Sequence, residues 1–329
     1  MRTSDRILKL LYDRPEGAYG LDELAVAAGV DRPVLEAAFG ELRTAGQRLE
    51  TSPQRGVRLV RPVRLASVLI EEGLSARRVG RSVVCFGEVG STNDVALEAI
   101  RQDDADGLVV LAEHQTHGRG RQGRTWLSPP GRSILLSVLL VEDAAAGAVR
   151  HDALTIAAGL AVTEAIERVT DLRCGLKWPN DVLLDDAKVC GVLVELRREG
   201  GRLGVVLGVG INVNAAPPPE EVDRPATCLA AVLGYPVERV ELVRCLLERL
   251  DEWVALLASG ELSRLHDAFL ARCRMINERV TVLSEGRCYA GRVLDVDPLR
   301  GLVLACDNGA TVHLPAAGAS VGFGGAVRE

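Results

Sequence analysis

From Ser82 onward the chain alternates short apolar runs with segments of helical period, and this alternation restricts the fold more than any other feature. Val83-Val84-Cys85-Phe86, Leu108-Val109-Val110-Leu111, Ile134 to Val141, Val189 to Leu196 and Leu203 to Val213 have the length and residue types of strands. Helices are predicted at Asp94 to Ile100, Leu154 to Val169 and Val240 to Leu257. Apolar strands of this kind need helices against them, so the middle of the chain reads as an α/β (α+β) domain with a sizeable mixed sheet. With 329 residues, 47% of them hydrophobic, there is room for two or three domains. No apolar run approaches the ~18 residues of a membrane span, so no membrane partner is expected.

The two ends have a different texture. Helices at Ser4 to Tyr12, Leu21 to Ala28 and Val34 to Ala45 are separated by Arg14-Pro15-Glu16-Gly17 and by Gly29-Val30, and Asp31-Arg32-Pro33 suits an N-cap with proline in the first turn. Strand-like Arg48-Leu49-Glu50 and Val57-Arg58-Leu59-Val60 flank Ser52-Pro53-Gln54-Arg55-Gly56. Together they predict a winged helix-turn-helix in residues 1–62, with a helical interaction module as the alternative. Its presumed recognition helix carries Asp31, Glu36 and Glu41 against Arg32 and Arg43, and those acids repel phosphate, so operator DNA is an open partner. Pro62 and a helix from Val63 to Glu72 form the expected linker into a domain spanning 63–274. Val280 to Leu283, Gly291 to Leu294 and Gly301 to Ala305, with a turn at Asp307-Asn308-Gly309, predict a small β-barrel in 275–329.

A net charge of -6 gives no global signature of nucleic-acid binding. The N-terminus lacks the apolar stretch of a secretory signal, which predicts a cytoplasmic protein. Eight cysteines without a C-x-x-C pair read as buried free thiols. Of 39 basic residues only Lys9, Lys177 and Lys188 are lysine. Where arginine serves as the general cation, a lysine that persists is expected to need its compact ammonium.

Gly118-Arg119-Gly120-Arg121-Gln122-Gly123-Arg124-Thr125-Trp126 combines three glycines, which let backbone approach a ligand, with three arginines and no nearby acid. It predicts a phosphate-binding loop, matching neither G-x-x-x-x-G-K-[ST] nor G-x-G-x-x-G; a flexible nucleic-acid-binding segment is the alternative. Lys177-Trp178-Pro179-Asn180-Asp181 and Lys188-Val189-Cys190-Gly191 hold the two late lysines. An acid attacking the α-phosphate of ATP brings anions together, and Lys188 is the choice for lowering their repulsion. Asp181 either takes Mg²⁺ indirectly or pairs with an arginine of the loop. Ser91-Thr92-Asn93 suits a small polar head group such as a ureido ring, against ordinary helix capping. Gly208-Val209-Gly210-Ile211-Asn212-Val213-Asn214 brings a glycine-flanked strand and two amides to the site edge, against a bulge. His114 and His117 have an H-x-x-H spacing but no second ligand pair.

In this order, Ser91-Thr92-Asn93, Gln115, Gly118 to Arg124, Lys177 to Asp181, Lys188 to Gly191 and Gly210-Ile211-Asn212 resemble the biotin–protein ligase family, over nearly the whole chain. The resemblance implies a winged helix-turn-helix, a catalytic domain and a C-terminal SH3-like barrel. It implies activation of biotin with ATP and Mg²⁺ to biotinyl-5′-AMP, and transfer to a lysine of a biotin carboxyl carrier protein or carboxylase carrier domain. It places Ser91, Thr92, Asn93, Gln115, Arg119, Gly120, Arg121, Lys188 and Gly191 at biotin, and Arg119, Arg121, Arg124, Trp126, Lys177, Asn180 and Asn212 at the nucleotide, with Lys188, Arg119 and Arg121 catalytic. A homodimer and a biotin-responsive repressor are further implications. The family's repressors carry a more basic recognition helix and an aromatic residue where this chain has Gly56-Val57, and the tail from Ala316 matches loosely. The rivals are a lipoate or octanoate ligase or transferase and a biotin-sensing regulator without ligase activity.

Overall fold

The computed structural model describes residues 1–15, 17–52, 54–143, 151–222 and 224–323; Glu16, Pro53 and the tail from residue 324, named above in turns and at the C-terminus, lie outside these. Helices α1 (Thr3–Tyr12), α2 (Leu21–Ala28) and α3 (Arg32–Thr44) bury Ile7, Leu11, Leu24, Leu35, Phe39 and Leu42 against one another. α2 ends at Gly29, whose φ of 62° is left-handed, and α3 starts at Asp31, whose carboxylate accepts the Val34 N–H at 3.1 Å. Strands β1 (Leu49–Ser52) and β2 (Gly56–Leu59) form an antiparallel hairpin.

The expected helix from Val63 to Glu72 is corrected: only α4 (Ser67–Glu71) forms. Residues 63 to 65 form no helix; Val63 and Leu65 are buried and Arg64 between them is half-buried, an alternation that a helical face does not give. Their amides are satisfied by side chains, Val63 N–H by Glu238 at 3.2 Å and Leu65 N–H by Glu113 at 2.8 Å.

The central sheet has the order β3 (Ser82–Val89), β4 (Leu108–Gln115), β5 (Ser133–Asp143), β9 (Arg202–Asn212), β8 (Ala187–Glu199), β7 (Asp181–Leu184), β6 (Gly175–Lys177). β3 and β4 are parallel and the other pairs antiparallel, which makes the sheet mixed as expected. β6 and β7 were not foreseen; they are too short to show periodicity. Two cross-strand rows run Leu135–Gly210–Gly191 and Ser137–Gly208–Leu193, and a third runs Leu139–Val206–Glu195. Residues in these rows share one face, on which α5 (Thr92–Glu98) packs Ala96 and Leu97 against Leu139 and Val206. The opposite face, with Leu136, Val138, Leu207, Val192 and Val194, is buried with α6 (His151–Thr170) and α8 (Arg239–Ala258). α7 (Leu229–Leu233) and α9 (Leu262–Leu270) complete this part.

The last region is an antiparallel sheet of β10 (Arg279–Ser284), β11 (Arg287–Asp297), β12 (Gly301–Cys306), β13 (Thr311–Leu314) and β14 (Ser320–Phe323), ordered β13-β12-β11-β10-β14. Among the described residues no helix is long and apolar enough to cross a membrane. The cysteines are free, and burial pushes the Cys85 and Cys174 thiols up to about 12. Cys174, Cys190, Cys228 and Cys245 are buried as expected, whereas Cys85, Cys273 and Cys306 are half-buried and Cys288 is exposed on β11.

Candidate active site

Three glycines open the α5 face of the sheet. A Cβ on Gly208 would stand 2.5 Å from Asn93 Oδ1, and on Gly210 or Gly191 it would stand 2.5 or 2.9 Å from the Trp126 ring. Asn93 and Trp126 therefore lie directly on strand backbone. The bulge alternative fails, since pairing through Gly208 and Gly210 keeps its register on both sides and Asn212 pairs in register with Ser133.

Around Asn93 lies a cluster of polar groups. Ser91 precedes α5 but its side chain makes no capping bond, so capping is not what it does. The Thr92 N–H and hydroxyl both donate to Gln115 Oε1, at 2.7 and 2.8 Å. Ser137 Oγ, fully buried, lies 2.7 Å from Thr92 Oγ1 and 2.5 Å from Asn93 Oδ1, and Asn93 Nδ2 donates to Glu195 Oε2 at 2.6 Å. Arg119 grips Asp94 bidentately at 2.7 and 2.6 Å and reaches Glu195 at 3.2 Å, which holds the Asp94 carboxyl below its usual range. Sequence reasoning missed Ser137 and Glu195. Their signal was a polar residue inside an otherwise apolar strand run.

The opposite end is cationic. Lys177 on β6 faces Asp181 on β7, which faces Gly191 on β8. Lys188 Nζ is 2.6 Å from Asp181 Oδ1 and 5.4 Å from the Trp126 ring centroid. Asp181 thus pairs with a lysine, not with an arginine of the loop. Burial, then repulsion by Arg224, pushes the Lys177 ammonium down to about 8. Asn180 spends its amide on the Val192 carbonyl at 2.8 Å, so it ties β6 and β7 to β8. Asn212 lies opposite Ser133; Asn212 Oδ1, Ser133 Oγ and Trp126 Nε1 are buried without a hydrogen-bond partner among the described residues.

Between these ends the loop closes on itself, Gly120 N–H to Arg124 O at 2.7 Å and Trp126 N–H to Gly118 O at 2.9 Å. Its arginines diverge. Arg119 turns to α5, whereas Arg121 donates to the Ala316 carbonyl and Arg124 lies 3.5 Å from Ser320 Oγ, both in the C-terminal sheet region. A cleft of about 360 Å³ runs between Arg119, Gly120, Arg121, Leu193, Glu195 and Gly318. A larger hollow beside α8 contains none of the residues singled out from sequence, and its Asp251 is spent on the amides of Arg77, Arg78 and Val79. Among the described residues no group of three His, Cys, Asp or Glu side chains could hold a metal; His117 Nδ1 meets Thr116 Oγ1 at 2.9 Å.

Residues 86–212 match the Biotin/lipoate A/B protein ligase family, a span that holds both the Asn93 cluster and the Lys177–Lys188 cluster. The bifunctional ligase/repressor BirA of Bacillus subtilis (strain 168) is 31% identical over 229 residues, 68% of this chain and 70% of that protein. The biotin--[acetyl-CoA-carboxylase] ligase of Mycobacterium tuberculosis is 36% identical over 269 residues, 76% of this chain and 98% of its own length. The chain belongs to the biotin protein ligase family. The solved biotin protein ligase of Aquifex aeolicus in complex with biotin and ATP superimposes with a TM-score of 0.64 at 28% identity, over 74% of this chain and 99% of that one. The mixed catalytic sheet described above is the fold of biotin protein ligases.

Proposed function

We propose that this chain is a biotin–[biotin carboxyl carrier protein] ligase that works in two steps in this cleft. The observation that carries the reading is the separation of charge along β8. Glu195, with Asn93 and Arg119, marks one end; Gly191, beside Lys177, Asp181 and Lys188, is four residues away, about 13 Å. A molecule with a neutral hydrogen-bonding ring and a distant carboxylate fits that division, its ring at Ser91, Thr92, Asn93, Gln115 and Arg119 and its carboxylate toward Lys188.

In the first step a biotin carboxylate oxygen attacks the α-phosphorus of ATP and pyrophosphate leaves. The Lys188 ammonium faces both anions and offsets the charge that grows between them. Lys177, Arg121 and Arg124 supply cations on the phosphate side, Trp126 a ring surface, and Asn212 Oδ1 a buried acceptor for an amino group of the base. Asp181 is the carboxylate that would hold Mg²⁺ through water, where the ion would neutralise phosphate charge. In the second step a carrier lysine amine attacks the acyl carbonyl of biotinyl-5′-AMP, and AMP leaves. The loop from Gly118 to Arg124, closed over the cleft, keeps water from the acyl-adenylate.

The test is transfer of labelled biotin to a carrier domain with MgATP. Lys188→Ala is expected to lower the rate by roughly a hundredfold or more, and lipoate not to replace biotin. Absence of both transfer and biotin-dependent pyrophosphate exchange in the wild-type protein overturns the reading in favour of a sensor without ligase activity.

The α2–Gly29–α3 unit with its hairpin supports a winged helix-turn-helix in residues 1–62, and the five-strand sheet supports an SH3-like barrel in 275–329, around a catalytic domain of 63–274. A biotin-responsive repressor acting as a cytoplasmic homodimer is the second reading, favoured by that N-terminal unit. A gel shift with and without biotin and ATP decides it.

A further inference from the structure

Glu195 belongs to none of the motifs from which the site was read, yet it is where the two halves of the head-group end meet. Its Oε2 accepts Asn93 Nδ2 at 2.6 Å and Arg119 at 3.2 Å. Asn93 comes from the start of α5, and Arg119 from the glycine-arginine loop. The strand register explains the position: Glu195 follows Gly191 and Leu193 on the open face of β8 and borders the cleft. Asn93 is pressed onto the backbone at Gly208, and its remaining amide oxygen is taken by the buried Ser137. One carboxylate therefore fixes which way the Asn93 amide faces and how close the loop stands to it.

We propose that Glu195 is the positioning residue of the head-group pocket, acting through Asn93 and Arg119 and setting affinity for the ring of biotin while leaving the nucleotide end alone.

This inference rests on the ligase reading, and the experiment separates the two. Biotin transfer by the wild-type protein tests the reading. KM for biotin, KM for ATP and kcat are then measured for Glu195→Ala, Glu195→Gln, Asn93→Ala and the double variant Asn93→Ala with Glu195→Ala. The expected result is a biotin KM raised roughly tenfold or more in Glu195→Ala, with the ATP KM within about twofold of wild type. Glu195→Gln, which keeps an acceptor for Asn93, recovers part of the loss. The double variant loses little more than the worse single one, because both changes remove the same contact. An unchanged biotin KM, equal rises in both KM values, or fully additive losses overturn the proposal. If Glu195→Ala does not fold, the near-isosteric Glu195→Gln carries the same comparison of the two KM values.

Discussion

Lys177 and Lys188 stand on either side of Asp181, and the fold treats them differently. Lys188 has Asp181 at 2.6 Å, whereas Lys177 is more deeply buried, and burial, with repulsion by Arg224 only partly offset by Asp181, pushes its ammonium down to about 8 from an ordinary 10.5. Because the folded value is the lower one, the unfolded chain holds the extra proton between about pH 8 and 10.5; burying the charge costs stability in full below about pH 8, and that cost shrinks as pH rises from about 8 and is gone above 10.5. Function runs the other way, since the free enzyme loses a phosphate-facing cation over the same interval. The expected outcome is a fall in kcat/KM for ATP above about pH 8 that is absent in Lys177→Arg, read from pH profiles of the two proteins. Both lysines were legible in the sequence because arginine had replaced lysine nearly everywhere else. Ser137 and Glu195 were not, since a single polar residue in an apolar run says nothing of what lies across the sheet from it.

At the scale of elements, the strands and long helices of the middle region appear within a few residues of their sequence positions, because their periodicity is long enough to read. The linker does not, because its conformation is decided by partners distant in sequence. Arg239, at the start of α8, and Glu113, on β4, form a nearly fully buried ion pair at 2.7 Å. Glu113 also accepts the Leu65 N–H, and Arg239 donates to the carbonyls of Val63 and Ser133. This pair therefore stitches the linker, α8 and two strands together. Glu113→Gln leaves Arg239 buried without its counter-charge and is expected to cost about 3–5 kcal/mol in urea unfolding, whereas replacing both residues with apolar ones of similar volume should cost far less.

Over the whole molecule, charge in the N-terminal unit is mixed: part of its positive charge is paired within the unit, while Arg43, Arg48 and Arg55 stay exposed. Arg32 on α3 lies 3.4 Å from Asp22 and 3.8 Å from Glu36, Arg58 on the hairpin is paired with Glu50 at 2.6 Å, and Glu41 is exposed on α3. Changing Glu36 and Glu41 together to Gln is expected to strengthen DNA binding at every sequence tried and to steepen its salt dependence by about one, leaving biotin transfer unchanged, as gel shifts over a salt series would report. An unaltered salt slope would place any DNA contact elsewhere than α3. The scarcity of lysine has a consequence at this scale as well. An acyl-adenylate reacts with free amines, and this chain has three amine-bearing side chains in 329 residues. Lys9 is held by Glu72 far along the sequence, Lys188 is occupied by Asp181, and Lys177 is sequestered in the sheet. Everywhere else positive charge resides on guanidinium groups, which stay protonated and do not attack acyl carbon. Outside the cleft the chain therefore offers few side-chain amines to an acyl-adenylate, and few of its own residues compete with the carrier lysine.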